Sequence, residues 1–197
     1  FATQDYLGLS AHPLVRAATL PVPGDSPQDS LAVPLIESRL ASALKLPGAV
    51  SFASGSDAIR QTLPVLLTPE DHVLVDHSAP LAMFSALSAA GSTVLRFPAT
   101  SLDAVERRLF RLSRLPRRGR LVIAVPAVSA HGSRIADLAD LSSLAQAHGA
   151  LLVVDASHDF GAIGQDGGGI MEVRGCLGRA DIVLGSLAKC FGAAGGI

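Results

Sequence analysis

At 197 residues the chain is long enough for one domain with a substantial core and too short for two large ones. Hydrophobic residues make up 49% and charged residues 17%, which excludes a disordered chain and favours a sheet covered on both faces. With 16 basic and 17 acidic residues the net charge is −1, so no global field favours nucleic acid or an anionic membrane.

Taken in chain order, residues 21–34 ("PVPGDSPQDSLAVP") are rich in turn formers and read as a connecting loop, closing an N-terminal segment over residues 1–47. Apolar runs bounded by turn residues then predict strands at 49–54, 72–76, 92–97, 120–126, 150–157 and 181–186, each short and rich in Val, Ile or Leu. Helical patterns fall between most of them, over 56–67, 80–91, 101–114 and 135–149. In the third, Leu102, Val105, Leu109 and Leu112 share one face and Ser101 is placed to cap it; the fourth stops at Gly149. The stretch 164–175 ("GQDGGGIMEVRG") reads as an irregular, glycine-rich segment. Strand alternating with helix implies an α/β domain over 48–197, with a mostly parallel sheet and helices on both faces.

No apolar run approaches the roughly 20 residues that span a bilayer, and the opening "FATQDYLGLSAHP" lacks the layout of a signal peptide, so a cytoplasmic protein is expected. Cys176 and Cys190 form no disulfide framework and no metal-ligand spacing, and read as reduced thiols. Arg107, Arg108, Arg111, Arg114, Arg117, Arg118 and Arg120 form the one basic concentration, read as a solvated face with an anion or partner site as the alternative.

In parallel sheets ligands bind beyond the carboxyl ends of the strands, and three such ends carry chemistry: Ser54-Gly55-Ser56, Asp155 to His158, and Ser186 to Lys189. Lysine occurs only at Lys45 and Lys189, so Lys189 is marked as an amine that arginine could not replace, because only a lysine can attack a carbonyl to form an imine. A lysine snorkelling from a strand end is the alternative reading. Asp155 follows the apolar run "ALLVV" and needs a partner, for which a protonated ring nitrogen, an arginine or a helix N-terminus would serve. His158 can donate to an oxygen of the same ligand, or serve as a loop residue. Ser54-Gly55 lies between a strand and a helix, where free amides and the helix dipole favour phosphate. An amine, a carboxylate and an anion cradle together fit the aldehyde, ring nitrogen and phosphate of pyridoxal 5′-phosphate (PLP). Neither GxGxxG nor GxxxxGK[ST] competes.

These residues lie in motifs that resemble the α-oxoamine synthases, a family of fold type I PLP-dependent transferases. "DYLGLSAHPLV" is similar to the family's NYLGLSxHP, "FASGSDAI" to FxSG[YF]xAN, "VVDASHDFGAIGQDGGG" to DEAHSxGxxGxxG, and "DIVLGSLAKCFGAAGG" to DIxxGTxSKAxGxxGG. The resemblance implies a PLP-binding large domain built as a three-layer sandwich, and a reaction that condenses an amino acid with an acyl-CoA. It implies that Lys189 binds the cofactor covalently and moves a proton at the amino-acid α-carbon. Asp155 would pair with the pyridinium nitrogen and His158 with the ring's phenolic oxygen, while Ser54, Gly55, Ser56 and Ser186 take the phosphate. A homodimer with the site at its interface is implied as well. By the same resemblance the large domain is incomplete over 48–197, and the C-terminal small domain, with the arginine that takes the substrate carboxylate, is absent, as expected of a fragment or of a truncated relative.

Several positions depart from the pattern. Counting from Asp76, the family's ring-stacking His falls on Pro80, with His77 nearby; Ser56 replaces an aromatic, Ile59 an Asn, Ala156 a Glu and Asp159 a Ser. Glu37 matches the final Glu of HxxLE, but Val33 holds the His position. Two further readings therefore stay open: a catalytically impaired homologue or partner subunit, and a fold type I enzyme of other chemistry, such as an aminotransferase, lyase or racemase.

Overall fold

The computed structural model describes residues 4–18, 27–98, 101–116 and 118–197, with the backbone alone described at 27–31. Five strands, β1 (His72–Asp76), β2 (Thr93–Phe97), β3 (Leu121–Pro126), β4 (Ala150–Asp155) and β5 (Ile182–Leu184), form one sheet in the order β2-β1-β3-β4-β5. Every pairing is parallel, with registers such as Val73↔Val122 and Val154↔Val183. The chain lays β2 on one side of β1 and β3 to β5 on the other, so the direction of winding reverses between β1 and β3.

The central strands β3 and β4 are almost wholly apolar because both faces are covered, whereas the edge strand β2 carries the exposed Thr93 and Arg96. All six residues of β3 are buried. Leu74, Ile123, Val125, Leu152 and Val154 point into one core with α5 (Leu102–Ser113), α6 (Leu138–His148) and the end of α2 (Pro27–Leu44). Val73, Val75, Val122, Ala124 and Val153 point into a second core with α3 (Gly55–Leu66) and α4 (Leu81–Ala89). The result is a three-layer α/β sandwich, as the alternating pattern implies. Gly149 ends α6 in the left-handed conformation at φ +60°, and the helix runs directly into β4.

Four local expectations change. Residues 27–34 belong to α2, while 21–26 lie outside the described residues. Pro27, Asp29 and Ser30 suit the first turn of a helix as well as a loop, since the first amides of a helix lack intrahelical partners. Residues 49–54 form no strand; Phe52 and Ser54 make isolated bridges with Gly196 and Gly195. Beside them lies an apolar cavity of about 380 Å³, lined by Leu46, Val50, Phe52, Ile182 and Leu184 among others. The glycine-rich segment contains a short helix, α7 (Gly169–Val173). Ser101 stands at the N-cap of α5, but its side chain makes no capping bond.

The N-terminal segment contributes a 3-10 turn (Leu9–Ala11) and α1 (Pro13–Ala18). Gly192 lets it approach the far end of the chain: a Cβ there would lie 2.4 Å from the Ser10 nitrogen. Glu37 on α2 accepts from both the amide and the hydroxyl of Ser51, at 2.7 and 2.8 Å, and so ties that helix to the segment before α3.

Candidate active site

The parallel sheet brings the ends of β4 and β5 side by side, and with them Asp155, His158, Ser186 and Lys189. Lys189 sits in the turn after β5, where burial pushes its amine below the ordinary lysine range; the charges of Asp155 and Cys190 oppose that shift. Its Nζ lies 2.8 Å from His158 Nε2. On the other side of the same imidazole, Nδ1 lies 2.5 Å from the Tyr6 hydroxyl. Burial and the charge of Lys189 push the imidazole below its ordinary range, against the pull of Asp155, which favours its neutral form. A neutral ring between an amine and a phenol has two tautomers, with the proton on Nδ1 facing Tyr6 or on Nε2 facing Lys189.

Asp155 is 4% exposed at the end of β4. Its Oδ1 accepts from the Ser157 amide at 3.0 Å, which fixes the carboxylate while Oδ2 accepts no hydrogen bond from the described residues. Asp159, one residue past His158, is fully buried; its Oδ2 accepts from the Ile170 amide at 2.7 Å and its Oδ1 has no partner. Burial, with the charge of Asp155 adding and the Ile170 bond opposing, pushes this carboxyl up to about 7.

The turn into α3 closes on the same place. An ideal Cβ on Gly55 would stand 2.7 Å from Ser186 Cβ and 3.0 Å from its Cα, so only glycine lets the helix start meet the turn after β5 this closely. Gly55 and Ser56 are the first two residues of α3, and their amides have no carbonyl four residues back within the helix. The residues therefore fit PLP: a compact, glycine-shaped cradle at a helix start lies three residues from a lysine whose neighbours are an imidazole and a buried carboxylate. Ser54 is the exception in detail, because its hydroxyl is already engaged by Asp57.

Other candidates make other contacts. Pro80 is the N-cap of α4, and His77 takes Phe97, Asp76 and Arg134 as partners rather than Lys189 or His158. Val33 is exposed on α2. A cavity of about 370 Å³ adjoins His158 and is lined also by Tyr6, Ser129 and Ser133, which sequence reasoning assigned no role. Tyr6 lies within the recognised "DYLGLS", but 152 positions separate it from its imidazole partner. The spacing Ser54-x-x-Asp57, that of a capping box, was the available signal for Asp57.

The family model for aminotransferase class I and II matches residues 28–197. The chain belongs to that family. Within this family, its homologues are α-oxoamine synthases, and the family is PLP-dependent. The chain is 29% identical to serine palmitoyltransferase of Sphingomonas paucimobilis over 149 residues, covering 76% of this chain and 35% of that protein. It is 31% identical to 8-amino-7-oxononanoate synthase of Sodalis glossinidius over 209 residues, covering 99% of this chain and 51% of the other. The structure of Sphingomonas wittichii serine palmitoyltransferase superposes with a TM-score of 0.84 at 25% identity, over 98% of this chain and 50% of that one. A structure of SPT with PLP gives a TM-score of 0.84 at 26% identity, with the same coverage. This aminotransferase-family chain thus spans about a third to a half of the length of these relatives. Among the described residues no helix is long and apolar enough to cross a membrane.

Proposed function

We propose that residues 48–197 are the PLP-binding large domain of an enzyme that condenses an amino acid with an acyl-CoA. The observation that carries this reading is the 2.8 Å approach of Lys189 Nζ to His158 Nε2 beside the buried Asp155. In it, Lys189 holds the cofactor's aldehyde carbon, Asp155 its ring nitrogen and His158 its ring oxygen, while Gly55, Ser56 and Ser186 receive its phosphate. Bound PLP supplies an electron sink for a bond broken at the amino-acid α-carbon. The chain's own contribution is proton handling: the depressed amine of Lys189 can take a proton from the α-carbon, and His158 with Tyr6 offers a path for it to leave. Asp155, its carboxyl held in place by the Ser157 amide, would favour a protonated ring nitrogen. The activity belongs to the whole protein, for which we propose a cytoplasmic homodimer with a C-terminal small domain.

A second reading, a homologue that binds the cofactor without turnover, is favoured by Pro80, which provides no imidazole at the start of α4. Absorbance spectra of the protein with PLP, for wild type and Lys189→Ala, test the shared part of both readings. Wild type should develop a visible band that the alanine variant lacks; identical spectra would overturn the assignment of Lys189. Release of free CoA from an acyl-CoA, dependent on an added amino acid, then separates synthase from silent homologue.

A further inference from the structure

The first turn of α3 carries its own anion. Ser54 Oγ accepts from the Asp57 amide at 3.1 Å and donates to Asp57 Oδ2 at 2.7 Å, so the hydroxyl is engaged in both directions. Asp57 is the third residue of a 12-residue helix, where a carboxylate meets the positive end of the helix dipole. Gly55, packed against Ser186, lies between Ser54 and Asp57 in this turn, so the Ser54–Asp57 pair sits at the same helix start that meets Ser186. A phosphate arriving there finds the Ser54 donor occupied and a like charge in place.

We propose that Asp57 is a built-in competitor of the phosphate group, so that this cradle grips phosphate weakly and the carboxylate sets the affinity for the phosphorylated cofactor. The proposal rests on the reading that PLP occupies this site, but its physical content concerns any phosphate in the cradle. Two effects act together. Ser54 must release Asp57 before it can donate to phosphate, which costs one charge-assisted hydrogen bond. The carboxylate, bonded to the same Ser54 hydroxyl that phosphate would take, then repels a like charge at that helix start. Removing the charge should tighten phosphate binding on the order of tenfold. A carboxylate that served only as a helix cap would leave phosphate affinity unchanged and alter stability alone.

The test compares wild type with Asp57→Asn, which keeps the side chain's size and an acceptor for the Ser54 hydroxyl. Isothermal titration with inorganic phosphate probes the cradle without involving Lys189 or an aldehyde. Titrations with PLP and with pyridoxal, followed by absorbance, separate the phosphate contribution from the rest of the cofactor. Expected are tighter binding of inorganic phosphate and of PLP by the variant, on the order of tenfold, with pyridoxal changed less than about twofold. Equal phosphate affinities, or weaker binding by the variant, would overturn the proposal. A visible band absent with both PLP and pyridoxal, alongside the phosphate effect, would instead strike at the assignment of Lys189 and leave the role of Asp57 standing. Thermal melting of Asp57→Asn and Asp57→Ala identifies loss of fold: if Asp57→Asn melts as wild type does, its phosphate affinity is read directly, and if it does not, Asp57→Glu, which retains the charge, must show no gain in affinity.

Discussion

Asp159→Asn should abolish a pH dependence of stability that the wild-type chain carries between about pH 4 and pH 7. The carboxyl is fully buried, one oxygen has no partner, and the other is held by the Ile170 amide. Gly169 adopts φ +73°, and a Cβ there would come within 2.3 Å of Asp159 Oδ2, so the loop is closed tightly around the acid. An aspartate that titrates near 4 in the unfolded chain is pushed up to about 7 in the fold. Between those values the native state keeps a proton that the unfolded state has lost. Stability is therefore fully present below about pH 4 and falls as pH rises through about 7. Roughly three pH units at about 1.4 kcal/mol each give a loss on the order of 4 kcal/mol. Asparagine keeps an oxygen for the Ile170 amide and cannot ionise. Urea unfolding of both proteins from pH 4 to pH 8 measures the difference directly. The variant should gain on wild type from pH 4 to about pH 7, by a few kcal/mol in all, and hold that gain above it; a constant difference would refute the argument that burial governs this carboxyl.

Two further substitutions probe the scaffold. Gly55→Ala places a methyl group against Ser186 Cβ, Ser186 Cα and the Gly185 carbonyl at 2.7 to 3.2 Å, so backbone must move; it should lose about 1–3 kcal/mol in unfolding experiments and weaken PLP binding more than it weakens pyridoxal binding. Asp71 is buried beside β1 and takes the Arg120 guanidinium at 2.8 Å and the Arg120 amide at 2.6 Å. Burial alone would raise this carboxyl, but these bonds, together with the Thr68 amide, hold it at about 2. Its contribution is thus present above about pH 4 and is lost as pH falls through about 2. Because Arg120 is 46% exposed, Asp71→Asn should cost only about 1–2 kcal/mol at neutral pH, a difference that should shrink in acid-unfolding curves.

The sheet was legible because its strands are buried on both faces, which writes them as uninterrupted Val, Ile and Leu runs ending in Asp76, Pro126 and Asp155. The alignment of His158 with Lys189 was legible for a related reason: parallel strands place their carboxyl ends on one edge, so residues 31 positions apart in sequence meet there. What escaped depends on partners that local sequence does not display. Residues 49–54 have the composition of a strand, yet two isolated bridges are their only ladder contacts among the described residues. The opening of α2 has loop composition, because Pro, Asp and Ser serve the start of a helix equally well.

Protonation was the least legible property of the site, and the reason is physical. Asp155 and Asp159 are four residues apart and identical in type, yet Asp155 is fixed by the Ser157 amide while Asp159 is held by the Ile170 amide and pushed up to about 7 by its burial. The amine of Lys189 is lowered by burial while Asp155 and Cys190 pull it back, and His158 is lowered by burial and by that same amine. These states depend on neighbours far apart in sequence: Tyr6 and Lys189 on the two sides of the His158 imidazole, and the Ile170 amide of α7 on Asp159. A residue's type fixes which proton it can carry, but the fold decides whether it carries it. Exchanging the acids for amides one at a time is therefore a sharper probe of this site than exchanging the lysine alone: Asp159→Asn removes a group that the fold keeps largely protonated up to about pH 7, whereas Asp155→Asn removes a carboxylate whose charge acts on both Lys189 and His158.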